Sequence, residues 1–147
     1  MCSSDLKRPG SYSEVLKVTD ARGRIDYDFA TVQVLDRGEK EKPPPTIHAS
    51  YAPTFGVRAG DPVTFKVRTF RAEVGNETWD FGDGSAKVKV RSDGNARPHD
   101  PRGYAETVHR FARAGHYVVR VEGTGHGGLK ATAHLAVRVG EKAPAQP

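Results

Sequence analysis

An all-β fold, a sandwich of two antiparallel sheets, is what this 147-residue sequence predicts. Three observations carry the prediction. Apolar and polar side chains alternate at period two in segment after segment, as with Val63, Phe65 and Val67 against Thr64, Lys66 and Arg68, and that is the spacing of a half-buried strand. The 16 Gly and 10 Pro fall largely between those segments, where turns need them. No segment sustains a 3.6-residue apolar period, so helices are not expected.

The elements follow in order. Met1 to Leu6 reads as a foreign leader and is set aside. Residues 7–36 hold one hairpin: Tyr12, Glu14, Leu16 and Val18 share a face, Asp20 to Gly23 turns, and Phe29 to Val34 returns. Residues 37–46 are charged and then Pro-rich, an extended spacer stiffened at Pro43 to Pro45. A complete domain is expected over 47–140, with a Pro/Ala tail at 141–147. Its strands are Ile47 to Tyr51, Val63 to Arg68, Glu77 to Phe81, Val88 to Val90, Val108 to Phe111, and a closing hairpin whose first strand holds Tyr117, Val119 and Val121 and whose second holds Ala133, Leu135, Val137 and Val139. Gly82-Asp83-Gly84-Ser85 reads as a tight hairpin turn, and Ser92 to Gly103 as a long polar loop.

The two hairpins are copies. Shifted by 105 residues, Gly10, Tyr12, Thr19, Gly23, Val32 and Val34 fall on Gly115, Tyr117, Thr124, Gly128, Val137 and Val139. The first copy lacks everything that precedes the hairpin in the second. A lone two-stranded hairpin is marginal in water, so residues 7–36 are expected to be the tail of a truncated upstream domain.

Composition excludes several classes. At 36% hydrophobic residues and a mean hydropathy of −0.62 the chain is lean, yet the ordered alternation marks it as folded. No apolar run approaches the roughly 20 residues of a membrane span. The single Cys2 rules out a disulfide within one chain and a thiolate zinc site. Residues 1–46 are neutral and the whole formal charge of +5 lies in 47–140. Those cations alternate with apolar residues, as in Val119-Arg120-Val121, so they are read as a solvated sheet face and not as a nucleic-acid footprint.

At this point the residues match a family. Trp79-Asp80-Phe81-Gly82-Asp83-Gly84 resembles the signature hexapeptide of the PKD (polycystic kidney disease) domain. His109 and Phe111, then Ala114-Gly115-His116-Tyr117 and its alternating strand, resemble that family's second signature, with Phe111 where the family has Tyr and Ala114 where it often has Pro. The resemblance covers 47–139, and 9–36 resemble the closing hairpin of another copy. It implies an immunoglobulin-like sandwich in extracellular or cell-surface proteins, a spacer or a protein- or polysaccharide-binding module and not a catalyst. It also implies that His109 bonds a neighbouring loop.

The candidate sites are weighed against that frame. Trp79 and Phe81 offer a sugar platform or a core, and their alternation with Asp80 favours the core. Asp80 and Asp83 offer a carboxylate pair, but are better read as acceptors for backbone amides of the Gly-rich turn. Calcium is left open at Asp20, Asp26 and Asp28 or at Asp93, Asn95 and Asp100, where the twelve-residue calcium pattern is broken. No cofactor is expected otherwise, and none of the six His has a zinc-protease spacing. His116 and His134, one on each closing strand, are candidates for a cross-strand pair. No Gly-x-Ser-x-Gly elbow exists, so no catalytic residue is assigned. A ligand site, if present, is expected on the long loop at Arg97, His99, Asp100 and Arg102. The expected function is a non-catalytic module of a larger extracytoplasmic protein, acting in spacing, adhesion or protein contact with other domains of its chain; the alternative is a carbohydrate-binding accessory to a secreted glycosidase or peptidase.

Overall fold

The computed structural model describes residues 6–36, 38 and 43–145. Most of the expected leader, residues 37 and 39–42 of the expected linker, and the last two residues of the tail lie outside the described residues. Two sheets form a β-sandwich. The chain begins with β1 (Gly10–Thr19) and β2 (Ile25–Val34), then β3 (Thr46–Ala52), β4 (Val63–Phe70), β5 (Glu77–Asp80) and β6 (Val88–Val90). It ends with β7 (Ala105–His109), β8 (Gly115–Thr124) and β9 (Lys130–Val139). One sheet has the order β2-β1-β9-β8-β5-β6 and the other β3-β4-β7. Neighbours are antiparallel except β1 and β9, which run parallel and pair only at Gly10 with Lys130 and Ser11 with Ala131.

The alternation seen in the sequence sets the two faces. Val63, Phe65 and Val67 of β4 point inward against Trp79, Val119, Val121 and Val137 of the facing sheet, all fully buried. Burial of such side chains is the main favourable term in a sandwich of this size. Phe81 and Phe111 close the cluster. The connection before β4 is sewn to the end of β9, where Ala59 N donates to Gly140 O and Gly140 N donates to Val57 O.

Four details differ from the sequence reading. The strand expected at Val108 to Phe111 lies at Ala105–His109, because β4 dictates the register from Val67 opposite Ala105 to Val63 opposite His109. Phe111 sits beyond its end and turns into the core. The connection from β5 to β6 is not a tight turn but spans residues 81–87, since Asp83 is drawn toward β7. Arg68 does not lie on a solvated face; it is buried. Pro44 and Pro45 do not act as a free spacer. Both are buried, with Ser11 Oγ donating to Pro45 O at 2.6 Å and Arg71 Nη1 donating to Pro44 O at 3.2 Å.

The first hairpin repeats the second in local detail. Tyr117 Oη donates to Arg113 O at 2.7 Å, and Tyr12 Oη, 105 residues earlier, donates to Arg8 O at 2.7 Å. In both, a tyrosine reaches back four residues to close the entry of the strand. The first hairpin lies against the outer face of β8 and β9: Tyr27 meets His116 edge-on, Phe29 stacks on His134, and Asp26 pairs with Arg138.

Candidate functional site

Two constellations stand out, the signature turn and the 92–103 loop. The turn begins where β5 ends. Trp79 and Phe81 are buried side by side with parallel rings, and Phe65 packs against both at centroid distances of 5.2 and 5.0 Å. They are core residues, closed to a sugar. Asp80 Oδ1 accepts from Gly82 N at 3.0 Å. Asp83 Oδ1 accepts from Ser85 N and Ser85 Oγ, and Asp83 Oδ2 lies 2.7 Å from His109 Nε2. Gly82 has φ +70, and a Cβ there would meet Val118 O at 2.5 Å, so the position requires glycine. Gly84 also takes a positive φ, +81.

His109 is the bridge between the sheets at this end. Its ring lies flat on Phe81, centroids 3.8 Å apart and 2° from parallel, and edge-on to Phe111 at 4.8 Å. Phe111 in turn stacks on Tyr117 at 4.5 Å, while Gly115 opens β8 in solvent. Burial works to raise the Asp83 carboxyl, but the hydrogen bonds from Ser85 and His109 outweigh it and hold the group below its ordinary value. The carboxylates are thus spent on backbone amides, the Ser85 hydroxyl and one histidine. Among the described residues no group of three His, Cys, Asp or Glu is placed to hold a metal ion. Asp20 binds the amides of its own turn and Arg24, and Asp26 and Asp28 accept from the next residue's amide.

The 92–103 loop is braced from beneath. Arg68 Nε and Nη2 donate to the two oxygens of Asp93, each at 2.8 Å, and Nη2 also donates to Arg97 O at 2.8 Å. The Arg68 guanidinium lies between the Phe70 and Tyr104 rings, at 5.5 and 5.7 Å. It holds the Asp93 carboxyl low. Asp93 N donates to Gly103 O, closing the loop at its neck. At the loop's start, buried Glu77 takes Thr69 Oγ1 at 2.7 Å and Ser92 N at 2.9 Å, and Ser92 Oγ as well. Asn95 and His99 carry positive φ without being glycine, a conformation held by this bracing.

The result is a half-open cleft of about 410 Å³ lined by Arg68, Phe70, Asn95, Pro98, His99, Asp100, Pro101 and Tyr104. Of the four expected loop residues, His99 and Asp100 line it. Arg97 contributes its carbonyl to the brace and leaves its side chain in solvent, and Arg102 sits outside at 3.6 Å from Asp100. Tyr104 Oη lies 3.0 Å from His48 Nδ1 at the cleft rim. Sequence reading missed Arg68, Tyr104, Phe70 and Glu77. Only Glu77 had left a sign: it shares the inward phase of Trp79 and Phe81.

The PKD domain family matches residues 46–139, and the chain belongs to that family. No curated protein matches it. Among solved structures, the PKD domain of an M14-like peptidase from a Thermoplasmatales archaeon is similar at 18% identity and a TM-score of 0.48, over 65% of this chain and 95% of that one.

Proposed function

We propose that residues 46–139 serve as a non-catalytic binding and spacing module of a larger extracytoplasmic protein, and that the cleft over Arg68 is its recognition surface. One observation carries the reading. A twelve-residue loop on a rigid sandwich is held open by a bidentate ion pair between buried Arg68 and half-buried Asp93, with two non-glycine residues in the left-handed region, where a structure without a ligand role has cheaper ways to connect two strands. The cleft chemistry favours the carbohydrate-binding form of this reading. Tyr104, Phe70 and two prolines give apolar walls, Asn95, His99 and Asp100 give polar groups, and Arg97 and Arg102, exposed on the same loop outside the cleft, add positive charge beside it, with Arg102 3.6 Å from Asp100. An acidic glycan fits such a surface.

The test is a glycan array probed with the full chain and with a variant in which residues 95–102 are replaced by a short turn. Ser92, Asp93 and Gly103 are kept, because they hold Glu77 and Arg68. The expected result is retention of acidic oligosaccharides that the shortened variant loses, at similar melting temperature. Equal retention by both removes the cleft from consideration. Hydrolysis assays on glycoside and peptide substrates should be blank.

A further inference from the structure

The outer face of β8 and β9 carries two histidines, and both lie against aromatic residues of the first hairpin. His116 meets Tyr27 with ring centroids 4.8 Å apart, and His134 stacks on Phe29 at 5.8 Å and 21° from parallel. Among the described residues the other ties are few. Strand β1 pairs with β9 at two positions, Ser11 bonds Pro45 O, and the Asp26–Arg138 pair at 3.1 Å is open to solvent. His134 is half-buried, and its Nδ1 is buried with no hydrogen-bond partner.

We propose that the β1–β2 hairpin is a pH-released arm, seated on β8 and β9 at neutral pH and detached in mild acid, with His134 as the trigger. A protonated imidazole must donate from both nitrogens, and Nδ1 has no acceptor in the seat. An unpaired buried donor on a charged ring is costly, so the proton favours the undocked arm. The surrounding charges are mixed. Arg120 stands directly opposite His134 on β8 and opposes a second positive charge, although Glu122 pairs with it at 2.8 Å. From β1, Glu14 pulls the other way, and from β2 the apolar Phe29 covers the ring. Burial first, and then Arg120, hold the His134 pKa below its ordinary 6.5 against Glu14. A depressed value means that the contribution of neutral His134 to docking is present in full above 6.5 and is lost as pH falls through the lower, docked-state value. Asp26 of β2 lies on the same seat beside His116, and its carboxyl is held low by the Tyr27 amide first and then by Arg138.

The experiment follows ring-to-ring nuclear Overhauser effects in the labelled full chain between about pH 7.5 and about pH 5, the range in which only histidine side chains ordinarily titrate. The Phe29–His134 and Tyr27–His116 effects should fade together below about pH 6.5, the docking constant falling by up to about tenfold per pH unit, while the Trp79–Phe65 effects persist. His134→Gln and His134→Phe should keep the Tyr27–His116 effects through the whole range, and His116→Gln should leave the loss of the Phe29–His134 effect in place. Persistence of the wild-type effects at the acid end overturns the proposal. So does an unchanged acid loss in both His134 variants, or its disappearance in His116→Gln.

Discussion

His109 joins three neighbours with one ring: the face of Phe81, the edge of Phe111 and the carboxylate of Asp83. His109→Ala should therefore cost about 1–3 kcal/mol, measured as a lower urea midpoint with an unchanged slope. The same contact sets an acid limit. Asp83 and Asp93 both have folded values below the ordinary 3.8, so each adds stability that is present above 3.8 and lost as pH falls through its lowered value. In His109→Ala the Asp83 carboxyl loses one of its donors, and acid unfolding followed by Trp79 fluorescence should begin at higher pH. Trp79→Ala, which empties the centre of the core, should cost about 3–5 kcal/mol. Tyr117→Phe removes one hydrogen bond and should cost about 1 kcal/mol, whereas Tyr12→Phe should loosen only the first hairpin, as read by amide exchange.

Strand by strand, alternation did most of the work. It placed β3, β4, β5, β6, β8 and β9 because the apolar phase of each turns into the core or packs against it. It misplaced β7, whose limits come from its pairing with β4 and not from its own pattern. The core aromatics and the carboxylates of the signature turn were legible for a local reason: Asp80 and Asp83 bond amides two residues away. The cleft was not legible beyond its loop. Arg68 meets Asp93 across 25 residues, and Arg68 sits in an alternation that reads as solvent-facing. Arg68→Met leaves Asp93 without its cation and the loop without its brace. Amide exchange over residues 93–103 should rise well before that of β8, and Asp93→Asn should do the same more weakly.

Across the molecule, the first hairpin and the 46–139 unit differ in kind. The unit carries the whole buried aromatic cluster, while Leu16, Val18 and Leu35 of the hairpin region stay exposed. A chain of residues 43–145 should fold with Trp79 as protected from iodide as in the full chain. A peptide of residues 7–36 should show no dispersion of its amide shifts. The 105-residue repeat was visible in sequence, but the seat of its first copy was not, because two rungs and two stacked rings leave no periodic trace.

The parallel course of β1 beside β9 has a mechanical meaning. Tension between the two ends of the chain draws Gly10 backward and Val139 forward, so the two strands slide along each other and do not peel apart. With two backbone rungs, two ring contacts and a few side-chain bonds resisting that slide, the arm is the weakest link under load. It would yield first and lengthen the chain while the sandwich behind it stays shut.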